Sequence, residues 1–441
     1  MNKNKIIKEV SFLWLGSILG ALSAFALQVI LARELGSQNF GLFASSLAFI
    51  TLMVPIAGFG IAQSWLKVFG LEGMNALRWL KGSFRFLTLS ALVSIILIVL
   101  WSFWEGNDAS TKLILQVLIL YLLGQVLLDL VSAQLQLEER FHVLAIWQLS
   151  PHIARLFLTL LIVGLTSKTI SFFDVSIIYS FVGVTVFLTG FIILLKMDKY
   201  RFNLKGHIDS LESEKLSDSP NILNIFFQAW PFGLAAFFHL IYYQSDIILL
   251  KHMQGDHEAG IYSVAFSIMM AVYIFPSVIY QKYLLPKMHR WANHDTNKFY
   301  QVYKLGLKIM SASGMLVLII VLLTSYWMIP LLFGQEYASS VLILNILAIS
   351  IPMIYLAFNA GAILTTKDNM QKKVKYMGYT AFLNIVLNIV LIPIYSGVGA
   401  AMATVISNSA LLYLYIMSVN KYIFSSQDYA EHTSPLSKIY E

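Results

Sequence analysis

The chain contains no cysteine, which excludes disulfides, thiolate metal sites and thiol nucleophiles. Charge is almost as scarce. Asp, Glu, Lys and Arg make up 12% of the 441 residues, where soluble domains carry roughly 25%. A surface so poor in charge is solvated by lipid rather than water. Enzyme signatures are missing as well. There is no GxxxxGK[ST] phosphate loop, so bound ATP is not expected, and no HExxH, DxD or GxSxG. The 9 histidines are scattered, so neither a metal nor a cofactor is expected. The basic stretch Met1 to Lys8 runs into apolar sequence with no small-residue cleavage site. The first helix is therefore expected to insert as an uncleaved signal. Net charge is +7, but the placement of the charges points to membrane topology and not to nucleic acid.

What is present is hydrophobic length. Apolar residues are 58% of the chain and mean hydropathy is +0.73. Twelve apolar segments stand at about 10–31, 42–66, 83–104, 112–136, 143–165, 172–196, 222–250, 260–285, 305–329, 338–363, 376–394 and 398–422. Each is long enough to cross a bilayer, which takes about 20 residues. Helices are expected, because lipid offers backbone groups no partner and the alternation of a barrel strand is missing. With Met1 inside, 25 of the 30 Lys and Arg fall in inner segments and 4 in outer ones, with Arg155 inside a span. That asymmetry places both termini in the cytoplasm.

A repeated joint suggests two halves. LARELGSQNFGLFAS at 31–45 has a looser echo, LKHMQGDHEAGIYSV, at 250–264. Gly36 and Gly41 correspond to Gly255 and Gly260, a displacement of 219 residues. The expected fold is all-α and integral to the membrane, with 12 transmembrane helices in two pseudo-symmetric six-helix bundles around a central cavity. Residues 1–197 and 221–425 form the bundles, 198–220 a cytoplasmic linker and 426–441 a cytoplasmic tail. Whatever is carried lies between the bundles.

Ionisable groups at membrane depth are costly, so each is a functional candidate. Tyr121, Gln125, Asp129, Ser132 and Gln136 share one face of the fourth span, and Gln148, His152, Arg155 and Thr159 one face of the fifth. Asp129 and Arg155 are placed to pair across the turn between them. His239, Tyr242 and Asp246 repeat the pattern on the seventh span. A lone intramembrane Asp near a His suits a coupling cation or proton, which makes Asp129, Asp246 and His239 the coupling candidates. Hydration at the rim would equally account for Asp246. Lys67, Lys282 and Arg33 stand at span ends, where they either snorkel to the interface or offer cations to an anionic ligand. Asn384 and Asn388 share a face of the eleventh span, where amides bond across helices, and the Gly/Ala run at 397–403 permits close packing.

Two stretches, LARELGSQNFG at 31–41 and NIVLNIVLIPIYSGVGAAMAT at 384–404, resemble the polysaccharide biosynthesis transporters. These are Wzx-type O-antigen flippases of the multidrug/oligosaccharidyl-lipid/polysaccharide exporter superfamily. The resemblance covers essentially the whole chain. It implies a flippase in the bacterial cytoplasmic (inner) membrane. Its substrate would be an oligosaccharide unit on undecaprenyl diphosphate, moved to the outer leaflet by alternating access. Membrane lipids surround it, and a polysaccharide polymerase and chain-length regulator are the further partners implied. Cationic residues would line the cavity, which puts Arg155, Lys67, Lys282 and Arg33 in the substrate-binding set, with His152, Gln125, Asn384 and Asn388 beside them. The rival readings are a cation-coupled drug exporter of the same superfamily, a membrane polymerase, and a non-transporting scaffold. Short, charge-poor outer loops weigh against the polymerase, and aligned polar stripes weigh against the scaffold.

Overall fold

The computed structural model describes residues 3–104, 106–165, 170–197, 202–205, 219–366 and 369–424. Among them are only helices and the turns that join them. In the N-terminal half these are α1 (Lys3–Gly58), α2 (Ile61–Glu72), α3 (Arg78–Ser102), α4 (Ala109–Leu137), α5 (Phe141–Leu165) and α6 (Phe172–Leu194). The C-terminal half holds α7 (Ile222–Gln254), α8 (Asp256–Ser277), α9 (Leu285–His294), α10 (Thr296–Phe333), α11 (Ser340–Ala348), α12 (Ile351–Ile363) and α13 (Met370–Tyr422). Eight helical stretches are long and apolar enough to cross a membrane, or nine if α11 and α12, bent by 44°, count as one span. Dozens of large apolar side chains, such as Leu100, Leu223 and Phe382, lie on the outside, the arrangement of a multi-pass membrane protein rather than a water-soluble one.

The twelve expected segments map onto fewer stretches because some of these join helices across a kink. One of the eight stretches runs from Phe12 to Ser102, 91 residues, several times the ~20 that a bilayer needs. It is interrupted where the backbone turns left-handed: at Gly36 (φ 68°), and again at Phe59 (φ 40°) and Gly60 (φ 72°). The segment expected at 42–66 consequently ends at Gly58, and α2 starts afresh at Ile61. Ser396 (φ 51°) breaks α13 in the same way. Gly36 and Gly255 (φ 95°) stand at equivalent joints, and a side chain would be strained at either. Polar caps start other helices. Asp108 accepts from the Thr111 amide at 3.0 Å, Asn221 accepts from the Asn224 amide at 2.8 Å, and Ser171 with Asp174 forms a reciprocal capping box.

Chain order divides the molecule into two ends. The turns at Gly36, Asn107, Gly255, Gly334 and Ser396 lie at one, called here the hairpin end, and the first and last described residues lie at the other. Of the expected linker, residues 202–205 and 219–220 are described, and the Lys205 amide donates to the Leu137 carbonyl at 3.1 Å. The tail expected at 426–441 lies outside the described residues.

Candidate functional site

The two halves meet closely at the hairpin end. A Cβ added to Gly41 would fall on the Asp256 carbonyl and 2.6 Å from the Gly260 nitrogen, and one added to Gly260 would fall on the Ser37 carbonyl. The repeated glycines of the two joints therefore pack against each other. Polar contacts surround this point. Ser37 Oγ lies 2.9 Å from His257 Nδ1, Tyr337 Oη donates to the Ala32 carbonyl at 2.9 Å, and Lys251 Nζ donates to Thr111 Oγ1 at 2.8 Å. Lys251 also pairs with Asp256 at 2.6 Å. Burial pushes the Asp108 carboxyl up, but bonds from Thr111 and the Lys251 charge outweigh it and hold it below its ordinary value. The contribution of this cap is therefore full above the ordinary carboxylate range and fades as pH falls through the lowered value.

Arg33 belongs to this seal and to nothing else that the structure describes. Its Nε donates to the Leu332 carbonyl at 2.6 Å and its Nη2 to that of Leu331, the last carbonyls of α10 in the other half. Arg33→Ala removes two bonds from a cation to a helix C-terminus, a loss of about 1–2 kcal/mol at an exposed position. Spin labels introduced at Gln38 and Met253, both exposed, should then show a longer-distance population several-fold larger than in the parent.

Behind the seal lies a cavity of about 330 Å³ between the halves. Gln28 and Thr51 of α1, Gln244 of α7, and Ser263 and Ser267 of α8 supply its polar wall, and apolar side chains such as Phe25 and Met270 the rest. Toward the other end the halves touch again, where Phe59 stacks on Phe226 at 5.5 Å and Gly60 meets the backbone of Gly233.

Among the described residues, none of the sequence-derived candidates lines this cavity. Arg155 is buried within the N-terminal half. Its Nε donates to the Pro151 carbonyl at 2.9 Å, Nη2 lies 3.4 Å from His152 Nδ1, and the guanidinium faces the rings of Tyr179 (4.8 Å) and Tyr121 (5.6 Å). No carboxylate pairs with it among the described residues, so the expected bond to Asp129 is not formed. Asp129 is exposed, yet it sits nine residues from lipid-facing Leu120, about 180° around the helix. Gln125 is half-buried one turn away. Lys67 is exposed on α2. Lys282 falls on a π-helical turn, Val278–Leu284, and its side chain lies outside the described residues.

A second constellation joins residues that the sequence placed in different roles. Asp246, 1% exposed, accepts from Asn388 Nδ2 at 2.6 Å, from Tyr262 Oη at 2.5 Å and from Thr404 Oγ1. Asn388 Nδ2 also reaches Asn384 Oδ1 at 3.1 Å, which accepts from Ser245 Oγ at 2.9 Å. Asn384 and Asn388, expected in the substrate wall, are fully buried here around a carboxylate instead. His239 is exposed two turns below Asp246 on α7 and stacks edge-on against Tyr243 at 4.6 Å.

Sequence reasoning missed Tyr262 and Thr404. Thr404 closes the quoted Gly/Ala run, and Tyr262 replaces Phe43 in the repeat; that gain of a hydroxyl was the available signal. It also missed Gln28 and Gln244, because uncharged amides draw less attention than ionisable groups.

The profile of the family described as "Polysaccharide biosynthesis protein" matches residues 6–291, more than half of the chain. The capsular polysaccharide biosynthesis protein CapF of Staphylococcus aureus is 23% identical over 424 residues, spanning 93% of this chain and 98% of its own. Among solved structures, the lipid II flippase MurJ in an inward closed conformation superposes with a TM-score of 0.69 at 15% identity, over 96% of this chain and 89% of that one. The MATE multidrug transporter DinF-BH gives 0.67 at 15%, over 96% and 98%. At such identities the structures establish a shared fold, while the profile match establishes kinship: the chain belongs to the polysaccharide biosynthesis protein family.

Proposed function

We propose that this protein flips an oligosaccharide repeat unit, linked to undecaprenyl diphosphate, from the inner to the outer leaflet of the bacterial cytoplasmic membrane. The observation that carries this reading is the cavity between the halves, walled by Gln28, Thr51, Gln244, Ser263 and Ser267 and closed at the hairpin end. A sugar cannot enter hydrocarbon, because each hydroxyl would lose its hydrogen bonds. Amides and hydroxyls replace those bonds while the polyprenyl tail stays in lipid. At about 330 Å³ the cavity is at the small end for a ligand site, where drug-sized ligands occupy roughly 300–1,000 Å³. Loading a repeat unit therefore requires the halves to part at the end bearing the termini. Breaks at Gly36 and Ser396 divide α1 and α13; with α3 counted apart from α1–α2 and α11–α12 taken as one bent span, we count twelve crossings in two bundles, 1–197 and 221–425. The 25-to-4 charge asymmetry puts both termini in the cytoplasm.

Arg155 is the cation for the diphosphate, approached from the face that bears Asp129 and Gln125. Two negative charges leaving a cell that is negative inside gain about 4–5 kcal/mol per 100 mV. Asp246, ringed by Asn388, Tyr262 and Thr404, is the site for a coupling cation or proton. A polymerase and chain-length regulator would take the product onward. Arg155→Ala should leave substrate on the inner leaflet and cut surface polysaccharide at least tenfold, read by leaflet-specific labelling of the lipid-linked glycan. Normal surface polysaccharide would remove Arg155 from the site. A drug exporter would instead confer dye and drug resistance, and the buried Arg155 guanidinium disfavours lipophilic cations.

A further inference from the structure

The seal at the hairpin end contains an imidazole whose two nitrogens both face acceptors. His252 stands exposed on the last turn of α7. Its Nδ1 lies 2.8 Å from the Ile248 carbonyl, one turn back on the same helix. Its Nε2 lies 3.3 Å from Asn107 Oδ1, in the turn between α3 and α4 of the other half. A second bond fixes which end of the Asn107 amide meets the ring. Asn107 Nδ2 donates to the Trp101 carbonyl at 2.7 Å, and turning the amide over would set two oxygens against each other. Carbonyl and amide oxygens only accept. Neutral imidazole carries one N–H and one lone pair, whereas imidazolium carries two N–H groups. Only the protonated ring makes both bonds. The Trp101 ring packs against the same imidazole at 5.3 Å, so the α3–α4 turn meets His252 through a ring as well as an amide.

The other histidine of the seal carries no such requirement. His257 Nδ1 meets Ser37 Oγ at 2.9 Å, and a hydroxyl donates or accepts, so that bond is available in either state of the ring. The charged groups around His252 come from three helices. Lys251 is its neighbour on α7, Asp256 of α8 pairs with Lys251 at 2.6 Å, and Asp108, which caps α4, feels the Lys251 charge. Lys112 of α4 lies on the Phe103 ring at 3.7 Å. Among the described residues no carboxylate is within ion-pair distance of His252. Its proton is therefore held by two neutral acceptors, one of which belongs to the opposite half.

We propose that His252 is a proton-binding latch: as imidazolium it ties α7 to the α3–α4 turn across the two halves, and loss of the proton loosens the hairpin end. Parting the halves breaks the Nε2 bond, so the closed end offers the charged ring a partner that the open end lacks. By linkage, the contribution to closure is full at acidic pH and fades as pH rises. Histidine is the side chain that ordinarily changes charge between pH 5 and 8. Acid on this side holds the end shut. The proposal deepens the flippase reading and rests on it for what closure does to transport, though not for the latch itself.

The test is the distance between spin labels at Ala109 and Gln335, exposed residues of the two halves near this end. It is measured on the full chain in nanodiscs from about pH 5.5 to about pH 8. In the parent the longer-distance population should be about three- to fivefold larger at the alkaline limit, the effect of one charge-assisted bond at an exposed position. His252→Gln should show the alkaline distribution at every pH, with a melting temperature near the parent's because the position is exposed. Asn107→Asp should keep the response, since a carboxylate accepts where the amide oxygen did, and His257→Gln should keep it too. A parent distribution that does not move with pH, or an equal response in His252→Gln, would overturn the latch. A response that His252→Gln abolishes, in a protein that flips no lipid-linked glycan, would sink the transport reading and leave the latch standing.

Discussion

Replacing Gly41 by valine should break the seal at the hairpin end and abolish transport while the protein still inserts. The added atoms would fall on the Asp256 carbonyl and beside the Gly260 nitrogen. Both are backbone, so no rotamer change relieves the overlap, and the two joints must separate. Overpacking of this kind costs about 1–3 kcal/mol, enough to shift a two-state equilibrium roughly 5- to 150-fold. Each half keeps its own packing, because the contact is only between halves. The chain lacks cysteine, so a single Ser263→Cys reports on the cavity without background. In the Gly41→Val protein it should become reactive to a charged thiol reagent applied at the hairpin side; in the parent it should be protected from that side. Gly260→Val should behave alike, since its side chain would meet Ser37.

The second large effect is expected at Asp246. Asp246→Ala removes the acceptor of three donors, Asn388 Nδ2, Tyr262 Oη and Thr404 Oγ1. A buried donor left unpaired costs about 1–3 kcal/mol, so the total approaches the 5–15 kcal/mol that typically separates folded from unfolded protein. Much reduced expression or a melting temperature lower by ten degrees or more is the expected result. Asp246→Asn keeps the shape and discards the charge. It should fold, and its flipping rate should no longer respond to an imposed sodium or proton gradient. A gradient response equal to the parent's would exclude Asp246 as the coupling site.

The sequence announced the fold more clearly than the site. Long apolar runs and the scarcity of charge demanded membrane helices, and the Gly36/Gly255 echo located the joints before their left-handed backbone was visible. The break at Ser396 falls in the gap left between the segments at 376–394 and 398–422, whereas that at Phe59–Gly60 was not legible, because apolar sequence continues through it. Arg155 is buried and Asp129 exposed; periodicity gives a face and not a partner. Arg155 lies against tyrosine rings and not against Asp129. Asn384 and Asn388 were marked on one helix and Asp246 on another, and only packing of α7 against α13 made them one cluster. Arg33 had an equally ambiguous pattern, and its partners turned out to be carbonyls, which sequence cannot mark.

The central claim is that the polar cavity between the halves holds the sugar headgroup during transport. Ser267→Cys, in the cavity wall, tests it most directly in vesicles of known orientation. A charged thiol reagent applied from the side of the termini should modify it, and lipid-linked oligosaccharide should slow that reaction at least fivefold. Modification at an unchanged rate with saturating substrate, in a protein that still flips it, would contradict the account.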